Sequence, residues 1–286
     1  MRFNPTRIYR LDYALGGGLP PGITMLWGNS GSGRTLFGLN LLKTVERGAL
    51  IHLSGQPDLH QIRTAWKDDA TVFLPESGEA ALSLAYDLVD NGCKAVVLDS
   101  LPGLQATSSF HASFRKFDYT GTKHLLLHGF GELGRLAVAR GATILTVNDH
   151  RRNVSTGKVQ AYMWNTMLPL CACVLRSYRD EYTTEYGLIA ETSLRIEVQE
   201  LRRRPLTAVI ETSVYWPHGF SQQRELIALM TELGIMERRG VYWHVNGMRL
   251  GPGYAVASEQ LVPLMEDFNL LLAQHIREAK CRESKS

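Results

Sequence analysis

The chain has 286 residues, 44% of them hydrophobic, enough to bury one large core and a smaller second module. A formal net charge of +3 permits nucleic-acid contact but does not by itself argue for it. No apolar run approaches the roughly 18 residues of a membrane span. Met1-Arg2-Phe3-Asn4-Pro5 lacks a signal-peptide core, so the expected compartment is the reducing cytoplasm, with no membrane partner.

Along the chain, Ile23–Trp27 reads as a strand, and Leu36–Leu42 has apolar residues at helical spacing. Ala49–Leu53 reads as a strand, Gly78–Asn91 as an amphipathic helix, Ala95–Leu98 as a strand, Thr122–Arg140 as a long helix and Ala142–Val147 as a strand. From Leu168 to Ile210 strands dominate. Gln222–Leu233 is then a predicted helix, Val241–Val245 and Met248–Leu250 flank Asn246-Gly247 as a tight hairpin, and Ser258–Ala279 is helical, ahead of a polar tail. The expected fold is α/β: a mostly parallel sheet flanked by helices over residues 1–218, and a small C-terminal α/β module over 219–286. Of the four cysteines, Cys93, Cys171, Cys173 and Cys281, none shows metal-ligand spacing. Cys171 and Cys173 alternate in an apolar run, which places both on one face of a strand as core thiols.

Between the first strand and helix stands Gly28-Asn29-Ser30-Gly31-Ser32-Gly33-Arg34-Thr35, a phosphate-binding loop in which arginine replaces the expected lysine. In that setting backbone N–H groups and the helix N-terminus face phosphate oxygens, and Thr35 offers its hydroxyl to magnesium. Arg34 keeps the charge but exchanges a compact ammonium for a planar fork, so nucleotide binding is expected to survive better than hydrolysis. A decayed loop kept only as a helix start is the other reading. The run Lys94–Asp99 ends in a carboxylate at the carboxyl end of a buried strand, where Asp99 would hold the metal through water.

Leu11-Asp12-Tyr13-Ala14-Leu15-Gly16-Gly17-Gly18-Leu19-Pro20, Pro75–Leu82 with Val96–Leu101, and Tyr242–Gly247 with Leu250-Gly251-Pro252-Gly253 together resemble the bacterial and phage RecA-type recombinases, from about Tyr9 to Glu278. The resemblance implies a P-loop NTPase core that binds ATP and Mg2+ between subunits, assembles on single-stranded DNA and pairs it with a homologous duplex. It implies self-association as a filament or ring, or action on a host recombinase.

The departures bear on mechanism. His52-Leu53-Ser54-Gly55-Gln56-Pro57-Asp58 holds no glutamate where the family positions its attacking water; Asp58 is the nearest carboxylate. At the end of the strand Ile144–Val147 the family's phosphate sensor becomes Asn148 and Asp149. Asp149 either opposes the γ-phosphate by charge or takes over activation of water, and Asn148 and Asp149 are the catalytic candidates. By the same resemblance DNA is met by two loops. The first carries Phe114, Arg115, Lys116, Phe117 and Tyr119, and the second, over 150–165, carries Arg151, Arg152 and Lys158; both mix cations for phosphates with rings for bases or are ordinary solvated loops. Arg202 and Arg204 stand near the family's in-trans nucleotide contacts, or form a surface cluster. Only about eight residues precede the core, too few for the family's N-terminal docking segment. Two activities stay open: a recombinase with weak hydrolysis, or a non-enzymatic mediator or decoy acting on a host recombinase.

Overall fold

A computed structural model describes residues 3–67, 71–106, 119–152, 157–185, 188–202, 204–245, 247–252, 256–257 and 259–260. The chain divides into two compact units, one holding the residues up to Asn4 and Leu19–Phe220, the other Pro5–Gly18 and the chain from Ser221 onward.

The first unit is built on one sheet, in the order β10-β9-β8-β7-β1-β5-β4-β2-β3. Its strands are β1 (Gly22–Gly28), β2 (Gly48–His52), β3 (Val72–Phe73), β4 (Ala95–Asp99), β5 (Thr143–Arg152), β7 (Cys171–Glu185), β8 (Leu188–Leu201), β9 (Arg204–Tyr215) and β10 (Gly219–Phe220), with β6 (Val159–Ala161) pairing only with β5. From β3 to β7 every pairing is parallel. Beyond β7 the sheet continues as an antiparallel meander. The parallel strands are apolar runs because helices cover both faces: all of β1 and β4 is buried.

Alternation along those strands sorts the side chains into two layers. Ile23, Met25 and Trp27 of β1 with Val96, Leu98 and Ile144 form one layer, under α4 (Gly78–Asp90) and α5 (Tyr119–Arg140). Ser77 caps α4 by accepting from the Ala80 N–H at 3.1 Å, and Ala81, Leu82, Ala85 and Val89 return at helical spacing to face Leu126, Phe130 and Leu133 of α5. Phe130 is wholly buried, a position where truncation to alanine costs about 3–5 kcal/mol. On the other layer α2 (Arg34–Lys43) lays Gly38 against Val97 and Leu145. The mostly parallel, helix-flanked sheet expected from the sequence is therefore present.

One local expectation is corrected. A bulge at Ala172 shifts the β1–β7 register, so that Ile23 pairs with Cys171 but Thr24 pairs with Cys173. Cys171 joins the layer of Ile23 and Val174, whereas Cys173 points to the opposite face with Leu175. Both thiols are buried and free, and burial pushes each well above the usual thiol range. Cys281 lies outside the described residues.

In the second unit α1 (Tyr9–Leu15) and α6 (Gln222–Glu232) pack with a small antiparallel sheet of β11 (Met236–Arg239), β12 (Tyr242–Val245) and β13 (Met248–Pro252) around Leu226, Ile227, Met230, Met236, Val245 and Leu250. Asp12 is buried there and accepts from the Thr6 N–H at 2.9 Å, the Thr6 hydroxyl at 2.8 Å and the Arg7 N–H at 2.8 Å. Burial outweighs those donors and pushes its carboxyl up to about 6. The hairpin of β12 and β13 matches the sequence reading, while α1 and β11 were not anticipated. The helical stretch expected over 258–279 falls almost wholly outside the described residues.

Candidate functional site

Gly28 closes β1, Gly33 caps α2 in a left-handed conformation at φ 72°, and the turn between them lies at the carboxyl end of the parallel strands. A Cβ at Gly28 would stand 2.0 Å from the Ser177 carbonyl oxygen, and one at Gly33 would stand 2.7 Å from Leu194 Cδ1. Glycine is thus required at Gly28 by the close approach of β7 and at Gly33 by its left-handed backbone, independently of any ligand. The Ser177 hydroxyl donates to the Ser32 carbonyl at 2.5 Å and ties the turn to β7. Asn29, Ser30 and Gly31 are exposed at its crest. Ser30 through Thr35 line a cleft of about 200 Å³ together with Gln61, Asp99, Ser100, Asp149 and Trp216. That volume suits a phosphate chain rather than a whole nucleotide, since sites that enclose a small ligand run from about 300 Å³ upward.

One corner of the cleft joins Thr35 and Asp99. The Thr35 hydroxyl donates to Asp99 Oδ2 at 2.8 Å, with Asp99 only 7% exposed. Burial raises the Asp99 carboxyl; the Thr35 hydrogen bond, His52 and Arg34 act against that, and Asp149 adds to it. Ser32 lines the same cleft, and its hydroxyl, 3.0 Å from where a Cβ on Gly28 would stand, is buried with no partner among the described residues. A hydroxyl, a carboxylate and an unsatisfied hydroxyl around backbone N–H groups form a donor set that fits an oxygen-ligated divalent cation and a phosphate chain.

The opposite corner is arranged differently. Arg34 does not reach along the loop: its Nη1 donates to Asp149 Oδ1 at 2.5 Å and to the Asn148 carbonyl. The guanidinium is 12% exposed and the Asp149 carboxylate 46%. Asp149 faces the cleft, but Asn148, one residue earlier on β5, points the other way and is fully buried. Its amide donates to the Tyr162 carbonyl at 2.9 Å and its oxygen accepts from the Asp149 N–H at 2.8 Å. Of the two catalytic candidates, Asp149 lines the cleft and Asn148 does not. Ser54, in the segment without a glutamate, stands 3.0 Å from Ser100, hydroxyl to hydroxyl. Asp58 accepts from the Gln61 N–H at 3.0 Å as the cap of α3 (Leu59–Ala65), which brings Gln61 rather than Asp58 to the cleft.

Phe114, Arg115, Lys116 and Phe117 lie outside the described residues. Tyr119 opens α5 and is 55% exposed. The second segment is not a loop throughout, which corrects the sequence reading. β5 runs on to Arg152 and pairs antiparallel with β6, Arg151 opposite Gln160 and Arg152 opposite Val159. Arg151 and Arg152 are exposed on this ribbon, and Lys158 is exposed just before β6. Arg151 lies 4.7 Å over the ring of Tyr162, whose hydroxyl is raised by burial and by nearby Tyr119 and lowered by Arg151. Tyr119 and the ribbon therefore lie close together, although sequence places them far apart.

Arg202 lies in the turn between β8 and β9 and Arg204 opens β9 opposite Leu201, which also pairs with Cys173 near the start of β1. The Arg202 N–H donates to the Ala172 carbonyl at 2.6 Å and its guanidinium lies 5.0 Å over Phe3. This end of the sheet is remote from Gly28, which pairs with Ser177, so within one chain neither arginine meets the cleft. Trp216 and Gln61 were missed from the sequence. The Pro57-Asp58 start followed by Gln61 was a legible helix-capping signal for α3, and Trp216-Pro217 ends a strand at the same sheet edge as the loop.

No family model matches the chain. Protein RecA of Oleidesulfovibrio alaskensis is 24% identical over 292 residues, covering 95% of this chain and 82% of that protein. Protein RecA of Bartonella tribocorum is 26% identical over 269 residues, covering 90% and 78%. Among solved structures, the RadB recombinase superposes with a TM-score of 0.54 at 18% identity, over 73% of this chain and 94% of that one. Among the described residues no helix is long and apolar enough to cross a membrane. With the fold, the sequence likeness across nearly its whole length and the loop geometry in agreement, the chain is a divergent relative of the RecA proteins.

Proposed function

We propose that this chain is a RecA-type recombinase that binds ATP with Mg2+ at Gly28–Thr35, binds single-stranded DNA, and pairs that strand with a homologous duplex with little hydrolysis. The observation that carries this reading is the 2.8 Å contact between Thr35 and Asp99 in the cleft lined by the loop. Thr35 and Asp99 would hold the magnesium, which supplies charge neutralisation for the phosphates when bound. Loop N–H groups would bind the phosphates, and Trp216 offers an apolar face to the base at the open rim. DNA would lie against Arg151, Arg152 and Lys158, with Tyr119 as a stacking ring and Phe114, Arg115, Lys116 and Phe117 from the first loop. Arg202 and Arg204 would act on the nucleotide of a neighbouring copy in a filament or ring. The compartment in this reading is the cytoplasm.

A second reading is favoured by two observations: Ser54 stands in the segment that holds the family's glutamate, and Arg34 is bound to Asp149 and the Asn148 carbonyl. A protein built this way would use nucleotide as a structural ligand and act on a host recombinase filament. Joint-molecule formation between a labelled single strand and duplex DNA separates the two. ATP- and Mg2+-dependent joints with a homologous but not a heterologous duplex are the expected result. No joints by this chain alone, with altered joint formation by an added host recombinase, would establish the second reading instead.

A further inference from the structure

The displacement of Arg34 raises the question of which cation meets the phosphate chain. β7 runs beside the loop, and Ser177, paired with Gly28, holds the Ser32 carbonyl. Two residues on, alternation returns Arg179 to the face of the sheet that carries the loop. Its Nη1 lies 3.0 Å from the position a Cβ on Gly31 would take, so the guanidinium rests directly against the exposed crest of the turn. Among the described residues Arg179 makes no ion pair; its recorded contact is the ring of Tyr182 at 5.5 Å. The carboxylate next to it, Asp180, is taken by Arg195 at 3.1 Å. Arg34 is less exposed and already bound to a carboxylate and a carbonyl. Two arginines thus approach one loop from opposite sides, one neutralised and one not.

We infer that Arg179, and not Arg34, supplies the principal cationic contact to an anion held by the loop, so that the charge lost from the loop lysine is replaced from β7. Arg34 serves instead as a strap between the start of α2 and the end of β5. This inference rests on the reading of the loop as a nucleotide site and names a further residue of it. The ligand class is a nucleoside di- or triphosphate: the guanidinium and the loop N–H groups together address phosphate oxygens beyond the first. A nucleoside monophosphate bound through its base and ribose would gain little from Arg179.

The test is equilibrium binding of fluorescent ATP, ADP and AMP analogues, with Mg2+, to the full chain and to Arg179→Ala, Arg179→Lys and Arg34→Ala. Loss of a charge-assisted hydrogen bond to phosphate is expected to weaken ATP and ADP binding by about tenfold or more in Arg179→Ala, with partial recovery in Arg179→Lys. AMP binding is expected to change by less than about threefold, and ATP binding in Arg34→Ala, which uncovers the Asp149 carboxylate, is expected to weaken less than in Arg179→Ala. Arg179 is exposed, so the substitution is expected to leave the thermal unfolding midpoint unchanged, which separates a binding defect from misfolding. A larger loss in Arg34→Ala than in Arg179→Ala overturns the inference and leaves the nucleotide site intact. No ATP binding by the unsubstituted chain overturns the nucleotide reading itself.

Discussion

The two corners of the cleft answer to different rules. At the Thr35–Asp99 corner each side chain is fixed by a backbone end: Thr35 in the first turn of α2 and Asp99 at the last position of a wholly buried strand. Their 2.8 Å contact follows from topology, because the parallel order β1-β5-β4 delivers both to one edge. At the Arg34–Asp149 corner the same topology delivers two long side chains that satisfy one another. Lysine and an amide, the residue types expected at those positions, could not form that ion pair. The comparison shows that a motif's spacing fixes where its residues sit, while the chemistry available there depends on what faces them.

The largest expected effect breaks both corners together. In Gly28→Ala the new Cβ would meet the Ser177 carbonyl at 2.0 Å, a backbone atom that cannot swing away. A loss of about 3 kcal/mol is expected, visible as a fall of about 10 °C in the thermal midpoint; an unchanged midpoint would show that β7 is not held against the loop. The Thr35–Asp99 corner alone is addressed by Asp99→Ala, which is expected to abolish the Mg2+ dependence of ATP binding and cost about tenfold or more in affinity, read by titration with and without Mg2+. Retained Mg2+ dependence would remove Asp99 from the metal site.

Asp149→Gln sharpens the contrast by releasing Arg34 and removing a negative charge from the cleft. ATP affinity is expected to rise about fivefold, or about 1 kcal/mol. Because the pair is half exposed on one side, the thermal midpoint is expected to move by no more than about 2 °C. A fall in affinity would instead mean that Asp149 works with the ligand. The smallest effect is expected from Arg34→Lys, with ATP turnover changing by less than about threefold, since Ser54 still supplies no carboxylate. A large rise in turnover would identify the loop residue as the sole block to hydrolysis.

Much of the fold was legible because buried parallel strands are apolar runs and the helices between them are amphipathic; β4 and α4 lie within a residue of their expected bounds. What escaped was structure whose sequence signal is local or masked by charge. β11 reads Met-Glu-Arg-Arg and has one buried residue. α1 sits in a run ending in three glycines, whose turn signal masks the helix although Tyr9, Leu11 and Leu15 are buried. The ribbon of β5 and β6 is polar and exposed, so periodicity could not distinguish it from a loop. The loop and Asp99 were legible from spacing. The Arg34–Asp149 pair, Trp216 and Arg179 were not, because each depends on which strands become neighbours.

The most direct measurement is fluorescence anisotropy of a labelled single-stranded oligonucleotide with this protein, with and without Mg2+-ATP, over a salt series. Salt-sensitive binding that strengthens when Mg2+-ATP is present is the expected result, since the basic ribbon would meet phosphates and its strand, β5, passes the cleft at Asp149. Absence of binding in every nucleotide state would contradict the recombinase reading.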